Sequence, residues 1–169
     1  ERGQIPAFGK ISPDHRRIAS GPQWKSFFFE GYGFRSAKNY AKCPETAKLL
    51  NRVPGLVVAF FSIMEGDTHV PRHKGLTKAW LNCHLPLIVP TKPGRCEMHV
   101  NDECVKWTEG KWLVFDETFP HEVWNDTGQP RVDATSSQVP AASSADIMPR
   151  TMRLGLIMLA STMPFLIVS

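Results

Sequence analysis

The sequence holds no C-x-x-C pair, since its four cysteines, at positions 43, 83, 96 and 104, are separated by 40, 13 and 8 residues. That spacing excludes the usual opening of a zinc finger or a thioredoxin-like redox motif, and free thiols in a reducing, cytoplasmic compartment are expected. No basic run occurs either. Arg16-Arg17, Lys42, Lys48, Lys74 and Lys78 are scattered although the net charge is +4, so no nucleic-acid partner is expected. No apolar stretch reaches the roughly 20 residues that a membrane span needs. The segment from Leu154 to Val168 comes closest, and Pro164 interrupts it, so no transmembrane helix is expected. The opening ERGQIPAFGK has neither an initiator Met nor the apolar core of a secretory signal, which leaves room for a longer parent chain. No internal repeat is present.

What is present is the composition of one soluble domain: 169 residues, 42% hydrophobic and 21% charged. Residues 1 to 42 mix aromatics with Pro and Gly and show no sustained helical period, so they read as an irregular flank packed on a core. Pro44 and Glu45 suit a first helical turn, and Ala47, Leu50 and Val53 share a face before Pro54-Gly55 ends one short helix. From Leu56 the pattern changes to strands. Val57 to Met64 is β-branched and aromatic, and the alternation from Leu81 to Val89 places Asn82 and His84 on one face. Cys96, Met98 and Val100 alternate again before an Asn101-Asp102 turn, and a strand at Lys111 to Phe115 follows. His121, Val123 and Asn125 share a face of a last short strand. Short strands separated by turn residues suggest a small antiparallel barrel or sandwich. After Arg131 the composition turns small and polar, so the expected division is a flank over 1–55, a core over 56–134 and an atypical tail over 135–169.

Two histidines carry the chemistry most readily: His73, before Lys74-Gly75, and His121, which opens HEVWND. A metal centre with positions open for oxygen commonly uses two histidines and a carboxylate, but the position two after His73 is Gly75. Two structural histidines would give the same spacing, so spacing alone does not decide.

The stretch from Trp24 to Arg131 resembles the aspartyl/asparaginyl β-hydroxylase family of iron and 2-oxoglutarate-dependent oxygenases. The resemblance runs through WKSFFFEGYGF, CPETAKLL, VPGLVVAFFSIMEGDTHVPRHKG, LNCHLPLIVP and WTEGKWLVFDETFPHEVWND, in order. It implies a mainly β fold, a double-stranded β-helix of the jelly-roll or cupin-like kind. It also implies Fe(II) on His73 and His121 with the third site left to water, which accounts for Gly75. Glu117 matches an acidic position near that water and is expected as a base or orienter. Ser62 and Arg131 match the pair that fixes the far carboxylate of 2-oxoglutarate, and His84 matches a residue that helps hold the metal-side carboxylate. Asn82 stands where the family has Arg, which removes one cation from the cosubstrate site. The implied reaction hydroxylates an unactivated C–H bond of a peptide Asp/Asn side chain or a lipid A acyl chain, the lipid reading bringing peripheral membrane contact. A barrel that has lost turnover and only binds is the alternative that Asn82 and the tail motivate.

The tail is the second departure, because family members continue after the arginine with an apolar strand. Here Val132-Asp133-Ala134 runs into small polar residues, so a strand is expected to be missing or replaced. Either Leu154 to Val168 returns to fill the gap or the reading frame has changed, and composition favours the second. The five tryptophans are expected in packing roles, and Cys83 and Cys96 as buried, inert thiols.

Overall fold

A computed structural model describes residues 5–10, 13–19, 21–75, 77–139 and the backbone of 165–168. After a 3-10 turn at Phe8–Lys10, the elements are α1 (Pro13–Ile18), β1 (Trp24–Gly31), β2 (Phe34–Arg35), α2 (Ala37–Lys42) and α3 (Pro44–Leu50). The strands β3 (Leu56–Met64), β4 (Thr68–His73), β5 (Leu81–Ile88), β6 (Cys96–Val100) and β7 (Glu103–Val105) follow. They lead to β8 (Trp112–Phe115), β9 (His121–Asn125), β10 (Arg131–Gln138) and β11 (Phe165–Val168). The strands form a large sheet in the order β11-β8-β5-β10-β3-β1-β2 and a small one in the order β4-β9-β6-β7. This is the expected cupin-like double-stranded β-helix.

The core lies where the two sheets meet. Met64, Leu113 and Phe115 of the large sheet pack with Val70, Met98, Val100, Val105 and Val123 of the small one, and Trp107 completes the cluster. These side chains face inward because β-strands alternate sides, and β9 is the plainest case: His121, Val123 and Asn125 are buried and the residues between them half-buried. Helix α3 starts on Pro44 as expected and ends at Leu50. Gly55, at φ 64°, then turns the chain close against Val139, where a side chain would meet the Val139 carbonyl.

The aromatic stretch of the flank is not irregular. Trp24–Gly31 pairs antiparallel with β3 and shifts register between Phe28 and Glu30. Aromatic rings cover both of its faces, Phe29 against Phe61 and Tyr40 and Phe28 against Phe34, so together with the bulge no apolar alternation is left to read. Helix α2 was hidden for a different reason: it is one short exposed segment, started by the Ser36 hydroxyl accepting from the Asn39 N–H.

The strand expected to be missing after Ala134 is also present. β10 continues through Thr135, Ser136 and Ser137 to Gln138, and lies between β3 and β5 with ladders on both sides. Backbone pairing to two neighbours holds this segment extended, and small hydroxyl residues fit where those neighbours crowd it. From the tail, Phe165–Val168 pairs in parallel with Trp112–Phe115, so the end of the apolar stretch does return to the large sheet, the alternative that composition did not favour. The rest of the expected tail, residues 140–164 and 169, falls outside the described residues. Cys83 is buried, with its thiol pushed up to about 12 by burial, whereas Cys96 is half-buried.

Candidate active site

His73 and His121 occupy paired positions on β4 and β9. The ladder shifts register between Val70 and His73, around Pro71, and the two rings lie with centroids 4.1 Å apart. Each ring is oriented by its own backbone: Nδ1 of His73 is 2.8 Å from the Pro71 carbonyl and Nδ1 of His121 is 2.9 Å from the Phe119 carbonyl. A carbonyl only accepts, so Nδ1 carries the proton and donates, and the Nε2 lone pair is left for a ligand. Burial and the neighbouring His73 push His121 down to about 4, and burial lowers His73 as well. Both rings are therefore neutral at pH 7, the form a divalent metal takes.

Glu117 reaches toward the space beside Gly75. The Gly75 N–H donates to the Glu117 carbonyl at 2.6 Å, and a side chain at position 75 would run into the Glu117 carboxylate. That carboxylate accepts from Asn82 Nδ2 at 2.6 Å and from Trp80 Nε1 at 3.2 Å, while burial raises its pKa against those two bonds. Asn82 Oδ1 accepts from the Ser137 hydroxyl at 2.6 Å. Asn82 and His84 both line the cavity, as their shared face requires, but the Asn82 amide is committed to Glu117 and Ser137.

At the other side of the cavity stands Arg131, which is 3% exposed. Its Nε donates to Asp133 at 2.8 Å and its guanidinium carbon lies 3.6 Å above the Trp107 ring. Its Nη1, buried, finds no partner among the described residues; nor do His84 Nδ1, Asp133 Oδ1 and Thr135 Oγ1. Burial, with the charges of Arg131 and His121, pushes His84 down to about 3. Ser62 Oγ accepts from Trp24 Nε1 at 2.9 Å, which leaves its own proton free to donate. Sequence reasoning missed Asp133, Thr135 and Trp107. The first two were legible as Arg131-x-Asp133-x-Thr135, one face of a strand, whereas the stacking of Trp107 on Arg131 joins positions far apart in sequence.

One cavity of about 720 Å³ joins these parts. His73, His121, His84, Glu117, Asn82, Ser62 and Arg131 line it together with an apolar wall that includes Phe8, Trp24, Phe28, Val58 and Phe60. Phe8 stacks on Trp24 with centroids 3.9 Å apart, and the exposed Arg17, Arg72 and Lys74 stand at the solvent edge. A buried guanidinium N–H without a partner in the same cavity as two neutral imidazoles suits a metal-bound dicarboxylate, because a carboxylate supplies the acceptor that Arg131 Nη1 lacks.

The model of the Aspartyl/Asparaginyl beta-hydroxylase family matches residues 1–133. An ornithine lipid ester-linked acyl 2-hydroxylase of Rhizobium tropici is 39% identical over 131 residues, covering 78% of this chain and 47% of that protein. The aspartyl/asparaginyl beta-hydroxylase of Homo sapiens is 34% identical over 131 residues, covering 75% of this chain and 17% of that protein. The chain thus spans under half the length of these two relatives. Among solved structures, the cupin domain of an XRE family transcriptional regulator from Enterobacter cloacae is similar at 12% identity and TM-score 0.46, over 70% of this chain and 98% of its own. With two thirds or more of its length matched by the family and by relatives named as hydroxylases, the chain belongs to the aspartyl/asparaginyl beta-hydroxylase family.

Proposed function

We propose that the chain is the oxygenase domain of an iron(II) and 2-oxoglutarate-dependent dioxygenase that hydroxylates an unactivated C–H bond in a lipid acyl chain. The observation that carries this reading is one cavity holding two neutral, backbone-oriented histidines together with a partnerless buried donor, Arg131 Nη1, and the unpartnered ring nitrogen Nδ1 of His84. His73 and His121 would hold the iron through Nε2. Arg131 and Ser62 would fix the far carboxylate of 2-oxoglutarate, and His84 the metal-side one. Iron and 2-oxoglutarate together supply dioxygen activation, with decarboxylation to succinate driving the hydroxylation. Glu117, with a raised pKa and held by Asn82 and Trp80, is suited to exchange a proton with water in the cavity.

The choice of an acyl chain rests on the wall of Phe8, Trp24, Phe28, Val58 and Phe60, which offers apolar surface and few groups for a peptide amide. The relative acting on an ornithine lipid agrees with it. Arg17, Arg72 and Lys74 at the edge would meet an anionic headgroup, which fits a cytoplasmic domain resting on a membrane surface. Among the described residues no helix is long and apolar enough to cross a membrane.

The test is succinate formation from 2-oxoglutarate with added Fe(II), in micelles of ornithine lipid or lipid A and with Asp/Asn peptides, together with mass analysis for one added oxygen. Oxygen in the acyl chain supports the reading, and oxygen in a peptide transfers the activity to the peptide substrate. One observation favours a second reading, a barrel that binds without turnover: a neutral amide engaged elsewhere stands at the cationic position of the family. Absence of succinate from folded, iron-loaded protein under every condition would select it.

A further inference from the structure

The outer face of the small sheet carries a second group of metal-ligand side chains, on the side turned away from the cavity. In the β6–β7 hairpin His99 pairs directly with Cys104, and Glu97 sits two residues before His99 and so on the same face. The three ligand atoms, one each from Glu97, His99 and Cys104, lie within 4.8 Å of one another. His99 Nε2 is already 3.3 Å from Glu97 Oε1. Between them the alternate residues Met98, Val100 and Val105 point the other way, into the core, and Met98 lines the active-site cavity. The hairpin therefore separates the outer group from His73 and His121.

We propose that Glu97, His99 and Cys104 form a second metal site, which takes a zinc-class divalent cation and clamps the two strands of the hairpin. Thiolate, imidazole and carboxylate are the three donor types zinc accepts, and three protein ligands leave a fourth, solvent-facing position for water. The site is partly organised in advance. The edge of the Trp124 ring packs on His99 with centroids 4.8 Å apart, and Arg95 covers Trp124 at 4.3 Å. Two side chains compete for the same groups. Lys106 Nζ is 3.9 Å from Glu97 but is mostly exposed on a flexible stem, and Glu122, which pairs with His99 across the ladder, is taken by His69 at 2.7 Å. A cation that displaced Lys106 would fix the outer surface of a hairpin whose inner surface is a wall of the cavity.

Cobalt(II) titration of the full chain tests this, because only a cysteine ligand gives the thiolate-to-cobalt absorption in the near ultraviolet, and none of the described residues lining the inner cavity is a cysteine. The parent protein is expected to show that absorption and to lose it when Zn(II) is added. Cys104→Ser, at an exposed position, should abolish it. His99→Gln, which retains the thiol, should weaken the affinity by about tenfold or more, the scale on which metal sites lose affinity when even a supporting partner is removed. Zn(II) should raise the melting temperature of a His73→Gln/His121→Gln protein, which lacks the inner ligands, but not that of the same protein carrying Cys104→Ser. Thiolate absorption that survives Cys104→Ser, or His99→Gln binding as tightly as the parent, would overturn the site. Neither result depends on whether the inner cavity turns over 2-oxoglutarate.

Discussion

Asn82 Nδ2 donates to Glu117 Oε2 at 2.6 Å, while Asn82 Oδ1 accepts from Ser137, so one amide ties the acid that shares the cavity with His121 to the central strand of the large sheet. Asn82, expected from the sequence to leave a cation missing, is thereby given a task of its own, the fixing of Glu117.

Replacing Asn82 by Ala removes one of the two hydrogen bonds that lower the Glu117 pKa against burial, so that pKa is expected to rise further. Carbon-13 NMR of the labelled Glu117 carboxyl reads the shift directly. The expected result is an upward move of that titration, because the lost bond favoured the charged form. A Glu117 titration unchanged in Asn82→Ala would show that the amide does not hold it.

Gly75→Ala should disturb the same acid without unfolding the protein. The added methyl meets the Glu117 carboxylate, a side chain that can move only by breaking its bonds to Asn82 and Trp80. Succinate formation is expected to fall by about 10²-fold or more, on the scale of a displaced acid–base group, with the melting temperature shifted by only a few degrees. Full activity in Gly75→Ala would remove Glu117 from the reaction.

Arg131 and Asp133 are both buried, so breaking their bond from one side is costly. Arg131→Ala leaves Asp133 as a buried, unpaired carboxyl and should destabilise the fold by about 3–5 kcal/mol, measured by urea denaturation. Trp107→Leu keeps the pair and removes the ring beneath the guanidinium, a loss of about 2 kcal/mol in a desolvated setting. The Michaelis constant for 2-oxoglutarate should rise in Trp107→Leu more than kcat falls. Equal effects on the two would show that Trp107 only packs.

The metal-free protein should lose stability as the pH falls below about 6.5. His121 and His84 are held at about 4 and 3, whereas an unfolded histidine titrates near 6.5. In that window the unfolded chain binds more protons than the folded one, so stability rises with pH there; above it both states are neutral and these groups add no slope. Melting temperatures of the chelator-treated protein between pH 4 and 7 check this. His84→Gln should flatten the profile, and an unflattened one would place the pH dependence elsewhere.

Deleting residues 140–169 removes β11 and exposes the edge of β8. Metal affinity should persist, since His73 and His121 lie on the small sheet, while the melting temperature drops by about 2–4 °C for each kcal/mol lost. An unchanged melting temperature would mean that the parallel pairing contributes nothing to stability.

Local features were legible because they depend on neighbours in sequence. Alternation alone put Asn82 with His84 and His121 with Asn125, Pro44 opened α3, and the ordered motifs around His73 and His121 pointed to the family and the barrel. What only the folded chain decided depends on partners far away. Trp24–Gly31 became a strand because β3 offered it a ladder, and its two aromatic faces concealed the alternation. Arg131–Gln138 became a central strand because β3 and β5 satisfy its backbone on both sides, a requirement that small polar side chains neither announce nor oppose. Likewise the Trp107 ring under Arg131 and the Asn82 amide on Glu117 are meetings of distant segments, set by the closure of the two sheets around one core.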